Sequence, residues 1–241
     1  MFGRRNARSF QLLTVLALCT AALLVCTSSA HAQEMSLRFE PPAPPKTDWG
    51  RTIGLGTAGA VSAFVLHESG HVLANLMLGN VPKFSGTLVW GFLPFVVIRP
   101  RITCDGDHCT KHNGETFRSG RNGTYFIATA GFHVQHVTDE VLLTLHPDLM
   151  ARDAPFQKGM LAFNVFLSTI YAVGAFTGLE DPHGDLAGAA RRSGIHEAWL
   201  ATVVLAPAVL DTYRYFVPTS RWAPWASRAA KATLFGLTFV F

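Results

Sequence analysis

With 241 residues, 49% of them hydrophobic and only 15% charged, the chain carries little charge for a soluble domain of its length, and burial in a membrane is the first reading. Its formal charge of +4 does not point to nucleic acid: Arg4, Arg5 and Arg8 supply three of the 20 basic residues and lie in a leader without acids, so the remainder of the chain is close to neutral. No dinucleotide or phosphate-loop glycine pattern is present, and no internal repeat, which argues against nucleotide-dependent enzymes and repeat scaffolds.

Residues 1–32 read as an export signal: a basic head, an apolar stretch from Leu12 to Val25, and the small-residue site Ala30-His31-Ala32, so that the mature chain begins near Gln33 with an exported N-terminus. Lipidation at Cys26 is an alternative, although Val25 stands where a small residue is wanted, and an uncleaved anchor is another. Residues 33–50, with "FEPPAPPKTDWG", form a Pro-rich linker, and 51–241 are expected to form one membrane-embedded domain.

Arg51 and Lys83 bracket a run long enough to span a bilayer, which needs about 20 apolar residues. "FSGTLVWGFLPFVVIRP" is apolar but broken by Gly86, Gly91 and Pro94, and predicts a hairpin or re-entrant piece. Arg99 to Asn122 is polar and predicts a loop. Within it, Cys104 and Cys109 of "CDGDHC" predict a short-loop disulfide if that segment faces an oxidising compartment; a metal site with His108 and His112 is the alternative. A single crossing before this loop would place it inside and keep the cysteines reduced, so the disulfide requires the hairpin region to cross as well. Three more apolar segments come next, near Tyr125–Leu145, Met160–Thr177 and Trp199–Phe216, with a polar turn "GLEDPHGDLAGAARRSG" between the last two. The tail "LFGLTFVF" alternates like a barrel strand, but one strand makes no barrel, and it is expected to be a packed terminal segment. The fold expected is all-α, a polytopic membrane helix bundle of about four crossings with a small hairpin or re-entrant element.

Glu68 is the only formally charged side chain between Thr52 and Pro82, and it sits in "HESGH". H-E-x-x-H places His67 and His71 one helical turn apart on one face, where both can bind one metal ion. Glu68, one residue round the helix, is the candidate general base and acid for water activated at such an ion. Small residues at Gly56, Ala60, Ala63, Gly70 and Ala74 run along or beside the histidine face, as close helix packing in lipid requires. A third ligand is needed for an open zinc site. It is not close by: Ala74 and Met77 stand where an extended motif would have Gly and His, and no glutamate lies between Glu68 and Glu115.

A hydrophobic-helix HExxH with a distant acidic ligand resembles the site-2 protease family of intramembrane zinc metalloproteases. The resemblance covers about Thr52 to Phe216, and its family-specific Asn-x-x-Pro pattern is missing here. It implies Zn2+ as cofactor and an Asp ligand from a Leu-Asp-Gly motif. Asp185 in "PHGDLAG" is the nearest counterpart; Asp211 in "AVLDTYRYF" has the Leu-Asp pair and could instead pair with Arg214, and Asp181 and His183 are close enough to serve. Asn164 resembles the family's cleft asparagine. His133 and His136, three apart, could line that cleft or hold a second metal, with Gln135 offering its amide to substrate backbone; alternatively they are interior polar groups bonded to each other and to Asp139 or Glu140.

The function expected is therefore zinc-dependent endopeptidase activity on a membrane-bound or membrane-proximal protein or peptide, in the lipid bilayer of a bacterial inner membrane, with no nucleic-acid partner. A membrane metal-binding or scaffold protein without hydrolysis is one alternative, and a secreted soluble zincin a second.

Overall fold

A computed structural model describes residues 48–89, 93–105, 108–179 and 184–239. The export signal, the Cys26 alternative, the linker up to residue 47, and Asp181 and His183 all lie outside the described residues. The chain divides into two units, Met1–Thr52 and Ile53–Phe241. Of the first, only the opening turn of helix α1 is described, where the Asp48 side chain accepts a hydrogen bond from the Arg51 backbone N–H at 3.1 Å.

The second unit is mainly helical: α1 (Trp49–Met77, begun in the first unit), α2 (Gly120–Leu145), α3 (Pro155–Thr177), α4 (Asp185–Ser193), α5 (Glu197–Phe216) and α6 (Ala223–Leu237). Between α1 and α2 lie four short strands, β1 (Pro82–Val89), β2 (Leu93–Pro100), β3 (Ile102–Asp105) and β4 (His108–Lys111). β1 and β2 pair antiparallel from Pro82↔Pro100 to Val89↔Leu93, so the apolar piece with its glycine breaks is a hairpin. The polar stretch after it is more ordered than the loop expected. β3 and β4 form a second hairpin in which Cys104 faces Cys109 and the two are joined as a disulfide, and α2 already begins at Gly120. Directly opposed cysteines hold the register that the polar composition concealed.

α1 packs through its small residues. A Cβ on Gly59 would fall on the Phe156 carbonyl of α3, and one on Gly159 of α3 would fall on the Gly56 carbonyl of α1, so the two backbones are in direct contact there. Farther along, a Cβ on Gly70 would lie 2.6 Å from the Ala130 carbonyl of α2. The histidine face of α1 is thereby pressed against α2. The main apolar core joins α2 to α6 around Tyr125, Phe132, Leu186, Leu200, Val204 and Leu234. A smaller one seats the disulfide hairpin against α1 and α2 through Ala74, Ile102, Cys109 and Phe117.

Among the described residues one helix, α3, is long and apolar enough to cross a membrane. The bundle is helical as expected, but length and hydropathy do not yield about four crossings. α2 interrupts its apolar residues with His133, Gln135, His136, Asp139 and Glu140, and α5 carries Glu197, Asp211 and Arg214.

Candidate metal centre

His67 and His71 are buried, at 0% and 2% exposure, on the α1 face that meets α2. Their Nε2 atoms lie 3.4 Å apart. Asp185, the first residue of α4, brings its Oδ2 to 3.2 Å from His67 Nε2 and 3.3 Å from His71 Nε2. The three atoms make a nearly equilateral triangle. A tetrahedral zinc site with bonds of about 2.0–2.1 Å separates neighbouring ligand atoms by about 3.3–3.4 Å, so the triangle has the size of one face of that polyhedron.

Hydrogen bonds behind the imidazoles determine which nitrogen faces the triangle. His71 Nδ1 lies 2.7 Å from the Ile127 carbonyl, an acceptor only, so Nδ1 carries the proton and donates. His67 Nδ1 lies 3.3 Å from Gln135 Oε1. The Gln135 amide cannot be reversed, because its Nε2 donates to the Asn164 carbonyl at 2.8 Å and to Ser168 Oγ. His67 therefore also donates from Nδ1, and both Nε2 lone pairs point at Asp185.

Three acceptor atoms this close need a positive charge among them, either a proton or a metal ion. Where that charge is a proton on His71, burial pushes the Asp185 carboxyl up but the charge and hydrogen bond of His71 outweigh it and hold the group well below the usual carboxylate range. Asp185 is thus ionised and ready as a ligand. Tyr171 on α3 anchors it further, its hydroxyl donating to the same Oδ2 at 3.0 Å.

Gly131 supplies the space. A Cβ at this position would fall on both His67 Nε2 and His71 Nε2, the region an ion between the ligands needs. The donor set, the triangle and this gap all fit a divalent ion such as Zn2+. Glu68 is half-buried beside the site, within electrostatic reach of His71 and Asp185.

Of the sequence candidates, His67, His71 and Asp185 come together, with Glu68 alongside. Asp211 does not join them: it lies in a separate buried cluster with His136 and Asp139. The cleft residues also take other places. Gln135 supports His67 rather than facing a substrate backbone, and Asn164 supports Gln135 through its carbonyl while its side-chain amide donates to Asp139 Oδ1 at 2.7 Å. His133 bonds Thr129 and Thr238 and stacks on Phe235 with ring centroids 4.3 Å apart, so it packs the α2–α6 contact. Each is withdrawn from the cleft because a buried polar group takes the nearest partner available.

Sequence reasoning missed Gly131, Tyr171 and the Ile127 carbonyl. A signal for two of them exists. Ile127, Gly131 and Gln135 are spaced four apart, which puts them on one stripe of α2, and each meets the histidine pair. Replacing Gln135 with Leu keeps much of the bulk but removes the acceptor behind His67; zinc affinity is expected to fall about 10- to 100-fold, readable by competition with a chromogenic chelator.

Searches of protein-family models, curated proteins and solved structures returned no match to this chain.

Proposed function

We propose that the chain is a zinc-dependent, membrane-embedded endopeptidase of the site-2 protease kind, cleaving a membrane-bound or membrane-proximal protein. The observation that carries this reading is the His67–His71–Asp185 triangle, with edges of 3.2 to 3.4 Å, beside the carboxylate of Glu68. Zinc bound there would supply Lewis-acid polarisation and bring the pKa of a water molecule to about 7. The residues of the chain do the rest. His67, His71 and Asp185 hold the ion, Gln135 and the Ile127 carbonyl keep both imidazoles in the ligating tautomer, and Tyr171 steadies Asp185. Glu68 takes the proton of the attacking water and returns it to the leaving amine. The Asp185 side chain is 18% exposed while that of His67 is 0%, so substrate approaches from the Asp185 side.

The distribution of polarity supports a lipid environment. Val61, Val65, Leu73 and Leu76 of α1 are each more than half exposed, whereas His67, His71, Asn75, His136, Asp139 and Asp211 are buried. An apolar outer face on α1 over an interior that holds these ionisable groups suits lipid better than water. Exposed tryptophans lie at both ends of α5, Trp199 in its first turn and Trp222 and Trp225 after its last, the residue type enriched at membrane–water interfaces. The disulfide suits a hairpin on the exported side.

Glu68→Gln tests the reading. Zinc content should match wild type, while cleavage of membrane-anchored substrates falls at least about a hundredfold. Cleavage that is unchanged in this variant does not run through Glu68 and overturns the reading. Zinc binding without any cleavage by wild type would leave an ion-binding protein without hydrolysis, and a mature chain recovered in aqueous buffer without detergent would make it a soluble zincin.

A further inference from the structure

Farther along α2 from Gly131, where it faces α5, lies a second convergence of ligand atoms. His136, Asp139 and Asp211 are each 0% exposed, and one ligand atom from each lies within 4.8 Å of the others. His136 and Asp139, three apart, share a face of α2, and Asp211 comes from α5. What distinguishes the group from an ordinary buried ion-pair network is its unmet valence. Neither ring nitrogen of His136 has a hydrogen-bond partner among the described residues, nor does Asp139 Oδ2. The Val204 carbonyl is the backbone acceptor near His136 and makes no hydrogen bond to it. Buried imidazoles and carboxylates rarely go unpaired, and here three such atoms are gathered in one place.

We propose that His136, Asp139 and Asp211 form a second metal site, for a divalent ion that accepts one imidazole and two carboxylates, such as Zn2+ or Mn2+. The nearby cations have to be reconciled with it. Lys231 Nζ lies 2.8 Å from Asp211 Oδ2, and Arg214 lies 3.2 Å from Asp211 Oδ1. Both are held independently by Glu140, Lys231 at 2.8 Å and Arg214 at 2.6 Å. An ion that takes Asp211 Oδ2 therefore leaves Lys231 on Glu140 and on Asp211 Oδ1, which it also contacts at 3.0 Å. Ser227 keeps the other oxygen of Asp211 at 2.6 Å. Asp139, by contrast, has no ion pair among the described residues, and only Asn164 donates to it.

The ion would be structural. It ties α2 to α5, and through Asp139 it holds Asn164, whose carbonyl positions Gln135 behind His67. The site does not depend on the proposed proteolysis, and its failure can be told from the failure of that reading.

Full-length chain purified in detergent, dialysed against excess Zn2+ and then metal-free buffer, is analysed for metal per chain. Wild type should hold two equivalents, His136→Gln and Asp139→Asn one each, and the His67→Ala/His71→Ala double variant one. A single equivalent in wild type that His136→Gln leaves in place overturns the proposal, with water as the occupant. If the double variant keeps all of the metal and His136→Gln loses it, the second site stands and the protease reading falls. A further measurement needs no substitution at the new site: Mn2+ titrated into wild type loaded with one equivalent of Zn2+ should lose its free-ion paramagnetic resonance signal up to one Mn2+ per chain. An undiminished signal from the first addition, together with a single zinc equivalent in wild type, also overturns the proposal.

Discussion

Asp185→Ala is expected to reduce zinc affinity at the His67–His71 site by about a thousandfold or more, and to abolish the proposed cleavage. The variant removes a ligand itself, whereas loss of a supporting partner such as Gln135 costs about 10- to 100-fold. It leaves two imidazoles whose tautomers are still held by Ile127 and Gln135, so the defect should lie in the ion rather than the helix. Two nitrogens without the carboxylate also lose the negative charge that balances the ion. Chelator competition at neutral pH measures the change. The same assay on wild type should show affinity falling as pH falls, because protons and the ion compete for the same two Nε2 lone pairs. Affinity independent of pH between 5 and 8 would mean that the imidazoles are not ligands.

Gly131→Ala should be nearly as damaging, for a different reason. It changes no ligand, no charge and no hydrogen bond, yet its methyl group would fall on both His67 Nε2 and His71 Nε2. The imidazoles cannot retreat without breaking their bonds to Gln135 and Ile127, so either the ion is excluded or α1 and α2 separate. Overpacking of this kind costs about 1–3 kcal/mol of stability, with loss of the ion added. Gly54→Ala is the control. Nothing lies within 4 Å of a Cβ there, so the same chemical change should be neutral or stabilise α1 by up to about 1 kcal/mol. Equal zinc content in the two variants would show that the gap at Gly131 is not where the ion binds.

The histidine pair was legible because helical periodicity is local: residues four apart face one way wherever the helix goes. The apolar hairpin was legible from its glycine breaks, and the disulfide from the cysteine spacing. The number of crossings was not, since apolar runs in α2 and α5 conceal buried polar side chains that serve the interior. For His133, Gln135 and His136 the sequence left two readings open, a substrate cleft or interior polar groups, and Asn164 was a cleft residue only by resemblance. The structure gives His133, Gln135 and Asn164 protein partners and buries His136 beside Asp139 and Asp211, since their elements enclose them before any substrate arrives.

Residue order by itself determined the i, i+4 imidazoles, the carboxylate between them, the small-residue face of α1 and the four-residue stripe of α2 that contains Gly131. Tertiary structure decided that Asp185 rather than Asp211 meets the imidazoles, across 118 positions of sequence, and that Gln135 and Ile127 set their tautomers. The reason is physical. Which face a residue occupies is set by backbone geometry within a few turns, but which faces meet depends on how the whole set of helices closes its backbone contacts and satisfies its buried polar atoms together.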